Sequence, residues 1–317
     1  MLKVVIIGYG EMFTNLVAAT LDADCQIVGV FRKDSIKYPS FIKKIKDIFN
    51  PSIEYSYIKS YKLPEISAKS VNSEKFRKKL LKLNPDVILV GSWGEKIKKA
   101  TYDIPKIATI NAHPSLLPKY RGPNPYFWTI RNQEKESGVT FHLVDENLDT
   151  GAILAQEVIK IYPSDTGASL KQRTVLTARG VACELLNALK EDIIIPLQQI
   201  EEKSSYYSYP EGLELDFNKT AEDNSALIRA TYPWAKTYFY HKETALTPNY
   251  QKLEIEENNT NYKENGTIVD IDYKNKTIKV LCADNKILKM ELSLYSNIDK
   301  HLTKFYIKKE LKIGDIL

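Results

Sequence analysis

The strongest constraint on the fold is a set of short apolar runs that are rich in β-branched residues and hardly alternate with polar ones. They lie at residues 2–7, 26–31, 86–91 and 106–110. Continuous apolar runs of this length are typical of strands that are buried on both faces of a parallel sheet. Helical patterns separate the first three runs. We therefore predict an α/β fold with a doubly wound, mostly parallel sheet.

Further elements are predicted along the first two thirds of the chain. Helices are expected from Gly10 to about Leu21 and at 75–83, 123–131 and 166–189, with strands at 138–144 and 152–161. Together with the apolar runs they form one predicted domain, residues 1–200, which is large enough to be a catalytic domain.

The character of the sequence changes after residue 200. Residues 201–212 are polar and contain Pro and Gly, which is typical of a linker, and one short helix is predicted at 220–230. From Asn265 onward, turn signals separate short runs, which predicts a small all-β domain at 213–317. Its final strands are expected to be rich in lysine: Lys300, Lys304, Lys308, Lys309 and Lys312.

Composition excludes several classes of protein. The chain has 317 residues, and its three cysteines are far apart, which favours a reducing, cytoplasmic compartment and argues against a disulfide scaffold or a structural zinc site. No signal peptide or membrane span is predicted. The net charge of +5 does not by itself indicate nucleic-acid binding. Residues 32–62 carry eight Lys and Arg against three acids, so this segment is either a solvated helical face or a contact for a polyanion.

The first apolar run ends in a Gly-x-Gly turn, Gly8 to Gly10. Phe13 stands where a dinucleotide fingerprint has its third glycine, and Arg32 follows the next strand where such a fingerprint has an acid. The pattern therefore disfavours a dinucleotide-dependent dehydrogenase. A helix N-terminus that faces an anion remains open.

A polar pair stands at the end of the run at 106–110. Asn111 and His113 are two residues apart, so on an extended segment their side chains point to the same face. Pro114 and Pro118 then interrupt regular structure. The pair is predicted to lie at the carboxyl tip of a strand, where open α/β sheets bind ligands.

Asp149 follows a second predicted strand and precedes a turn glycine, so it is a candidate neighbour of this pair. The three residue types suit transfer of an acyl group to an amine. His113 can take the proton of the attacking amine, Asn111 can donate to the oxyanion, and Asp149 can orient the imidazole. No Ser or Cys has a comparable position, which favours direct transfer over an acyl-enzyme.

Two segments together resemble the signature of the formyltransferases that use 10-formyltetrahydrofolate. They are NAHPSLLPKYRG at 111–122 and GVTFHLVDENLDTGAIL at 138–154. The resemblance implies that Asn111, His113 and Asp149 are the catalytic residues and that 10-formyltetrahydrofolate is the formyl donor, with no metal. It covers residues 1–200, and the segments 228–240 and 311–317 resemble the OB-like C-terminal domain of the larger members.

The donor is expected to lie beside loops at the strand ends. The predicted folate-contacting residues are Ser115, Leu116, Leu117, Pro118, Gly91, Trp93, Val144 and Asp145. Irregular loops of this kind can bind the polar edge of a pterin through backbone groups while apolar side chains cover its faces.

The family implies two acceptors for this chain. One branch formylates methionyl-initiator tRNA and carries the C-terminal domain, and the chain is closest to that branch. A second branch formylates amino sugars on nucleotides, and the segment RGPNPYFW at 121–128 is more similar to it. The residues predicted to contact the acceptor are Arg121, Tyr126, Trp128, Lys43 and Lys44. A monomer is expected.

Overall fold

The computed structural model describes residues 1–34, 40–296 and 300–317. The chain divides into two compact units. The first consists of Met1–Pro125, Glu136–Lys160 and Lys171–Ser208, and the second of Tyr126–Lys135, Ile161–Leu170 and Tyr209–Leu317.

A six-stranded sheet forms the centre of the first unit. Its strands are β1 (Lys3–Gly8), β2 (Gln26–Arg32), β3 (Val87–Gly91), β4 (Ala108–His113), β5 (Glu136–Leu143) and β6 (Ile153–Lys160). The strand order is β2-β1-β3-β4-β5-β6. The first four strands in this order are parallel, and β5 is antiparallel to both of its neighbours. The prediction of a mixed α/β unit with a parallel-rich sheet is confirmed.

The inner strands β1 and β3 are buried on both faces of the sheet, and their consecutive residues point to opposite sides. In β1, Val4 and Ile6 belong to one core cluster, together with residues of the first and the longest helix such as Phe13 and Leu185. Val5 and its neighbour Ile7 belong to a second cluster that includes Phe76 and Leu80. The scarcity of polar residues in these runs is thus explained by burial on two sides.

Helices connect the strands, and residues of the first, fourth and longest of them contribute to the two core clusters. Their bounds are α1 (Gly10–Asp22), α2 (Ser40–Phe49), α3 (Ile53–Ser60), α4 (Glu74–Leu83), α5 (Lys99–Tyr102), α6 (Pro125–Arg131) and α7 (Gly167–Lys190). A short 3₁₀ helix follows at Glu201–Lys203.

The N-terminus of α1 does face an anion, and that anion belongs to the chain itself. The Gly10 N–H donates a hydrogen bond of 2.5 Å to Oε1 of Glu54, a residue of α3 that is 8% exposed. A carboxylate at this position is stabilised by the free amides and by the helix dipole. The place that a ligand phosphate takes in a dinucleotide-binding turn is therefore filled by a side chain.

Acidic partners neutralise part of the basic segment at 32–62. Arg32 is 1% exposed, and its Nη1 donates to Oδ1 of Asp47 at 2.9 Å. Lys43 forms an ion pair of 2.5 Å with Glu65, and its side chain is 13% exposed. The side chain of Lys44 lies outside the described residues. The described contacts thus support a folded, internally paired helical segment.

The second unit contains an antiparallel sheet of five strands in the order β7-β8-β11-β10-β9. The strands are β7 (Phe239–His241), β8 (Thr244–Glu257), β9 (Ile268–Asp272), β10 (Thr277–Leu281) and β11 (Lys286–Leu294). Two helices accompany them, α8 (Ala221–Thr231) and α9 (Lys300–Glu310). The expected antiparallel β unit in this part of the chain is therefore present.

The prediction of lysine-rich final strands is wrong, because residues 300–310 form helix α9. Thr303, Ile307 and Leu311 are buried at a spacing of four residues, which is the period of a helix face. Lys304, Lys308, Lys309 and Lys312 are exposed around that face. The side chain of Lys300 is outside the described residues.

Over the described ranges, no helix combines the length and apolar character that crossing a bilayer requires.

The turn that follows Asp149 accepts only glycine at residue 151. A Cβ at Gly151 would lie 1.8 Å from the carbonyl oxygen of Leu143, whereas a Cβ at Gly180, inside α7, would meet nothing within 4 Å. We expect Gly151→Ala to lower the free energy of unfolding by about 2 kcal/mol or more, because backbone must move. The matched Gly180→Ala should raise it by about 0.5–1 kcal/mol, because alanine loses less entropy in a helix. Urea denaturation followed by circular dichroism measures both, and equal shifts would contradict this account.

Candidate active site

The polar pair lies on β4, beside the strand that leads to Asp149. In the β4–β5 register, Asn111 is opposite His142 and His113 is opposite Thr140. After β5 ends at Leu143, the chain passes through a short loop and reaches Asp149, whose φ of 58° turns the backbone. The side chains of both strands therefore meet the loop at one end of the sheet.

The carboxylate of Asp149 is the point where the predicted residues converge. Its Oδ1 lies 3.5 Å from Nδ1 of His113 and accepts a long hydrogen bond, also 3.5 Å, from Nδ2 of Asn111. Its Oδ2 accepts from the N–H of Gly122 at 2.9 Å. Asp149 is 8% exposed and His113 is 5% exposed. The structure thus brings the three predicted side chains into one buried cluster.

The hydrogen-bond partners of His113 assign its tautomer. Nε2 lies 2.8 Å from the carbonyl oxygen of Tyr120, which can only accept, so Nε2 carries the hydrogen. In the neutral ring, Nδ1 then has a free lone pair, and that lone pair faces Asp149. The basic atom of the imidazole is the one nearest the carboxylate.

A second histidine, His142, completes the cluster and was not among the predicted site residues. Its Nδ1 lies 2.8 Å from the carbonyl oxygen of Leu143 and donates to it, so Nε2 accepts the 3.1 Å hydrogen bond from Nδ2 of Asn111. This contact orients the Asn111 amide so that its NH₂ group faces the cluster. The signal that could have found His142 is its position opposite Asn111 in an antiparallel pair.

The charges in the cluster follow from burial and from neighbours. Burial lowers the pKa of His113 below its usual value, and the Asp149 carboxylate only partly opposes this. Burial raises the pKa of Asp149, but the His113 and His142 rings and the Gly122 amide outweigh burial and hold that pKa well below its usual range. The resting site at neutral pH therefore pairs an ionised carboxylate with a neutral imidazole.

Internal hydrogen bonds hold the loop at Ser115–Pro118, which was predicted to contact the folate. The Ser115 hydroxyl donates to the carbonyl oxygen of Lys119 at 2.8 Å, and the Thr140 hydroxyl donates to the carbonyl oxygen of Ser115 at 2.7 Å. Gln156 donates to the carbonyl oxygen of Leu117 at 3.0 Å. Leu116 is half-buried, and the loop thus offers backbone and apolar groups rather than the Ser115 hydroxyl.

The other predicted folate residues lie at the ends of β3 and β5. Trp93 follows Gly91, packs against Phe31 with ring centroids 5.5 Å apart, and has a buried Nε1 without a hydrogen-bond partner among the described residues. Val144 is half-buried, and the Asp145 carboxylate accepts from Thr150 at 2.7 Å.

The predicted acceptor residues are divided between the two units. Arg121 is 6% exposed and donates to both carboxylate oxygens of Glu201 at 2.9 Å, so its charge is committed within the first unit. Tyr126 belongs to the second unit, where its ring stacks on Trp234 at 6.1 Å, and the neighbouring Trp128 ring packs edge-on against Phe127. Packing thus occupies the aromatic rings that were candidates for stacking on a substrate.

Within the described part of the chain, no group of three or more His, Cys, Asp or Glu side chains is arranged to hold a metal ion.

Comparison with known proteins identifies the family. A family model described as Formyl transferase matches residues 2–183. The chain belongs to the formyl transferase family. A second model, described as Formyl transferase, C-terminal domain, matches residues 209–298.

Relatives and solved structures agree with this family. A methionyl-tRNA formyltransferase of Clostridium novyi (strain NT) is 34% identical over 244 residues, which cover 76% of this chain and 77% of the relative. That of Clostridioides difficile (strain 630) is 29% identical over 310 residues, 97% of this chain and 96% of the relative. An N-formyltransferase from Helicobacter canadensis, solved with folinic acid and dTDP-3-aminofucose, shares the fold with a TM-score of 0.65 and 19% identity, over 92% of this chain and all 100% of that chain.

The ionisation of His113 can be measured directly. We expect its pKa to lie below the usual 6.5, and Asp149→Asn to lower it further, because the carboxylate is the neighbour that favours the imidazolium. Two-dimensional NMR of the imidazole nitrogens against pH measures both values, and His113→Gln assigns the resonance. A His113 pKa above 6.5, or one that Asp149→Asn does not change, would contradict the assignment of charges.

Proposed function

We propose that the protein transfers a formyl group from 10-formyltetrahydrofolate to the amino group of methionyl-initiator tRNA. The observation that carries this proposal is the convergence of Asn111 and His113 on the buried Asp149 carboxylate at 3.5 Å. Family membership supports formyl transfer. The two relatives described above are named methionyl-tRNA formyltransferases, which supports methionyl-tRNA as the acceptor. Direct attack through a tetrahedral intermediate accounts for all three side chains.

The loops at the strand ends fit the donor. They supply the apolar side chains of Leu116, Val144 and Leu148, of which Leu148 is 46% exposed, and the carboxylate of Asp145. The unpartnered Nε1 of Trp93 lies in the same set of loops and is a donor that a bound polar edge or its water would satisfy. When bound, the donor supplies an electrophilic formyl carbon and a nitrogen that accepts a proton as the C–N bond breaks.

His113 acts as the base through Nδ1. In the resting site this lone pair faces Oδ1 of Asp149, so two acceptors lie 3.5 Å apart with no hydrogen between them. An incoming amine brings N–H groups that donate to both. As nitrogen attacks, its proton passes to Nδ1, and the imidazolium that forms is paired with the adjacent carboxylate.

Asn111 stabilises the negative charge on the formyl oxygen. One of its N–H groups is held by His142 at 3.1 Å, while the other makes only the 3.5 Å contact with Asp149. The second N–H is the weaker-bound one and can turn to the developing oxyanion. A donor of this kind contributes roughly 3 kcal/mol to the transition state.

A sugar nucleotide is the second candidate acceptor. The observation in its favour is the fold shared with an N-formyltransferase solved with dTDP-3-aminofucose. Against it, the Tyr126 ring is 9% exposed and stacks on Trp234. We therefore favour the tRNA, with the second unit as an OB-like tRNA-binding domain. We propose a catalytic domain at 1–200, a linker at 201–212 and a C-terminal domain at 213–317; residues 201–208 of this linker pack within the first unit.

The acceptor is tested by incubating the purified protein with 10-formyltetrahydrofolate and either methionyl-initiator tRNA or a panel of nucleotide-linked amino sugars. We expect formyl-methionine to form on the tRNA and no product to form on the sugars, because the aromatic rings suited to a sugar are packed. Acid-gel electrophoresis of the tRNA and mass spectrometry of the sugars detect the products. Product on a sugar alone would overturn the proposed acceptor.

The catalytic side chains are tested by Asn111→Ala and His113→Ala. Each should lower kcat by at least about 100-fold, because each serves the transition state more than the ground state. Asn187→Ala, at an exposed position of α7, is the matched control and should retain wild-type kcat. Either site variant turning over at the wild-type rate, while folded by circular dichroism, would disprove its role.

Electrostatic binding by the second unit is tested on helix α9 and the turn after it. Lys304→Glu, Lys308→Glu and Lys312→Glu together should raise KM for tRNA. They should also make the plot of log affinity against log salt concentration less steep, since each lost phosphate contact lowers the magnitude of its slope by about 0.7–0.9. The triple variant Lys75→Glu, Lys79→Glu and Lys82→Glu, on the exposed face of α4, makes the same change in net charge elsewhere. Equal effects of the two triple variants would show that only net charge matters.

A further inference from the structure

A polar segment follows the catalytic fold and runs back across the candidate active site. We call residues 197–207 the strap. It lies in the part of the chain, 184–208, that neither family model matches, and it belongs to the first unit. At the start of the strap, the N–H groups of Leu197 and Ile153 each donate a hydrogen bond of 2.8 Å to the other residue's carbonyl oxygen. Composition alone predicted a linker over most of this stretch.

Gln199 ties the strap to the turn that carries the catalytic carboxylate. Its Nε2 donates to the carbonyl oxygen of Asp149 at 2.9 Å and to that of Gly151 at 2.8 Å. Its Oε1 accepts from the guanidinium of Arg121 at 3.0–3.2 Å. One amide group thus connects both sides of the cluster, and its donors hold the backbone of Asp149 in a left-handed conformation with a φ of 58°.

Ser205 ties the strap to the turn that holds the imidazole. The N–H of Tyr120 donates to Oγ of Ser205 at 2.9 Å, and the N–H of Ser205 donates to the carbonyl oxygen of Pro118 at 3.2 Å. The carbonyl oxygen of Tyr120 is the group that His113 Nε2 contacts at 2.8 Å. The Tyr207 ring stacks on Tyr120 with centroids 5.1 Å apart. The acceptor for His113 is therefore fixed from the strap.

The backbone of Arg121 also pairs with the strap. Arg121 directly precedes Gly122, whose N–H donates to the Asp149 carboxylate. Its N–H donates to the carbonyl oxygen of Ser205 at 2.8 Å, and its own carbonyl oxygen accepts from the N–H of Tyr207 at 3.0 Å. A Cβ at the next residue, Gly122, would lie 2.3 Å from the carbonyl oxygen of Tyr207, so this turn and the strap are in close contact. The sequence 120–122 is held on one side by the strap and contacts the cluster on the other.

We propose that the strap is a working part of the active site, in which Gln199 and Ser205 are positioning residues that place the Asp149 carboxylate and the Tyr120 carbonyl around His113. This inference rests on the proposed formyl transfer, whose geometry it completes. Catalytic groups need supports of this kind, because displacement of about 1 Å can cost on the order of 100-fold in rate. Both neighbours favour the protonated ring, so loosening the strap should weaken His113 as a base.

The variants that test the proposal are Gln199→Leu and Ser205→Ala in the full-length protein. Gln199→Leu removes both donors at a similar side-chain volume and adds no charge, and Arg121 retains Glu201 as a partner. Ser205→Ala removes only the acceptor for the Tyr120 N–H, and Ser205→Thr retains the hydroxyl. Glu202→Gln, at an exposed position of the same strap, is the control.

We expect Gln199→Leu and Ser205→Ala to lower kcat by about tenfold or more, to leave KM for the donor within about twofold, and to move the acid limb of the kcat profile to lower pH. Ser205→Thr should recover at least half of the rate, and Glu202→Gln should match the wild type. A purely structural role would lower the melting temperature without moving the acid limb. Wild-type kcat and an unchanged acid limb in both variants would overturn the proposal.

The imidazole titration separates this inference from the proposed function. If the wild-type protein formylates none of the acceptors tested, the proposed function fails, yet NMR of His113 still reports on the strap. We expect its pKa to fall in both strap variants and to be unchanged in Glu202→Gln. An unchanged His113 pKa in both strap variants would overturn the inference whatever the acceptor is.

Discussion

The buried carboxylate of Asp149 is the interaction on which the rest of the site depends. A carboxylate that is 8% exposed costs several kcal/mol unless hydrogen bonds and polar neighbours compensate for the lost water. Here the compensation comes from the N–H of Gly122, on a connecting turn, and from the side-chain amide of Asn111, on β4. Elements far apart in sequence must therefore meet before this one charge is stable in its buried, ionised form.

Backbone conformations that are rare for most residues surround that charge. Tyr120 has a φ of 60°, Gly122 of 94° and Asp149 of 58°. Each of the two non-glycine residues costs on the order of 1–3 kcal/mol in this region and persists only where the surroundings determine it. The three positions carry the acceptor for His113, the donor to Asp149 and the carboxylate itself. At these positions the direction of each contact matters, and the sheet beneath them supplies stability that offsets the local strain.

The sequence was sufficient for those parts of the molecule that depend on local pattern. Unbroken apolar runs predicted the parallel strands, and the i, i+2 spacing of Asn111 and His113 predicted that they share a face. His142 was missed because its role depends on the register of β5 against β4, and Gln199 because it contacts residues about 50 positions away. The lysine-rich helix α9 was predicted as strand because the short strands before it suggested a continuation, although Thr303, Ile307 and Leu311 already have helical spacing.

The strap also bears on how a two-domain enzyme of this kind can be rearranged. The family models end at residue 183 and resume at residue 209, so the stretch between them has the appearance of a neutral junction. The hydrogen bonds of Gln199 and Ser205 make it an integral part of the first unit instead. A recombination event that joined this catalytic fold to a different C-terminal partner would have to cross over after residue 208, since a crossover nearer to 183 would exchange the supports of the carboxylate together with the partner. The junction therefore belongs structurally to the first unit rather than to the domain that follows it.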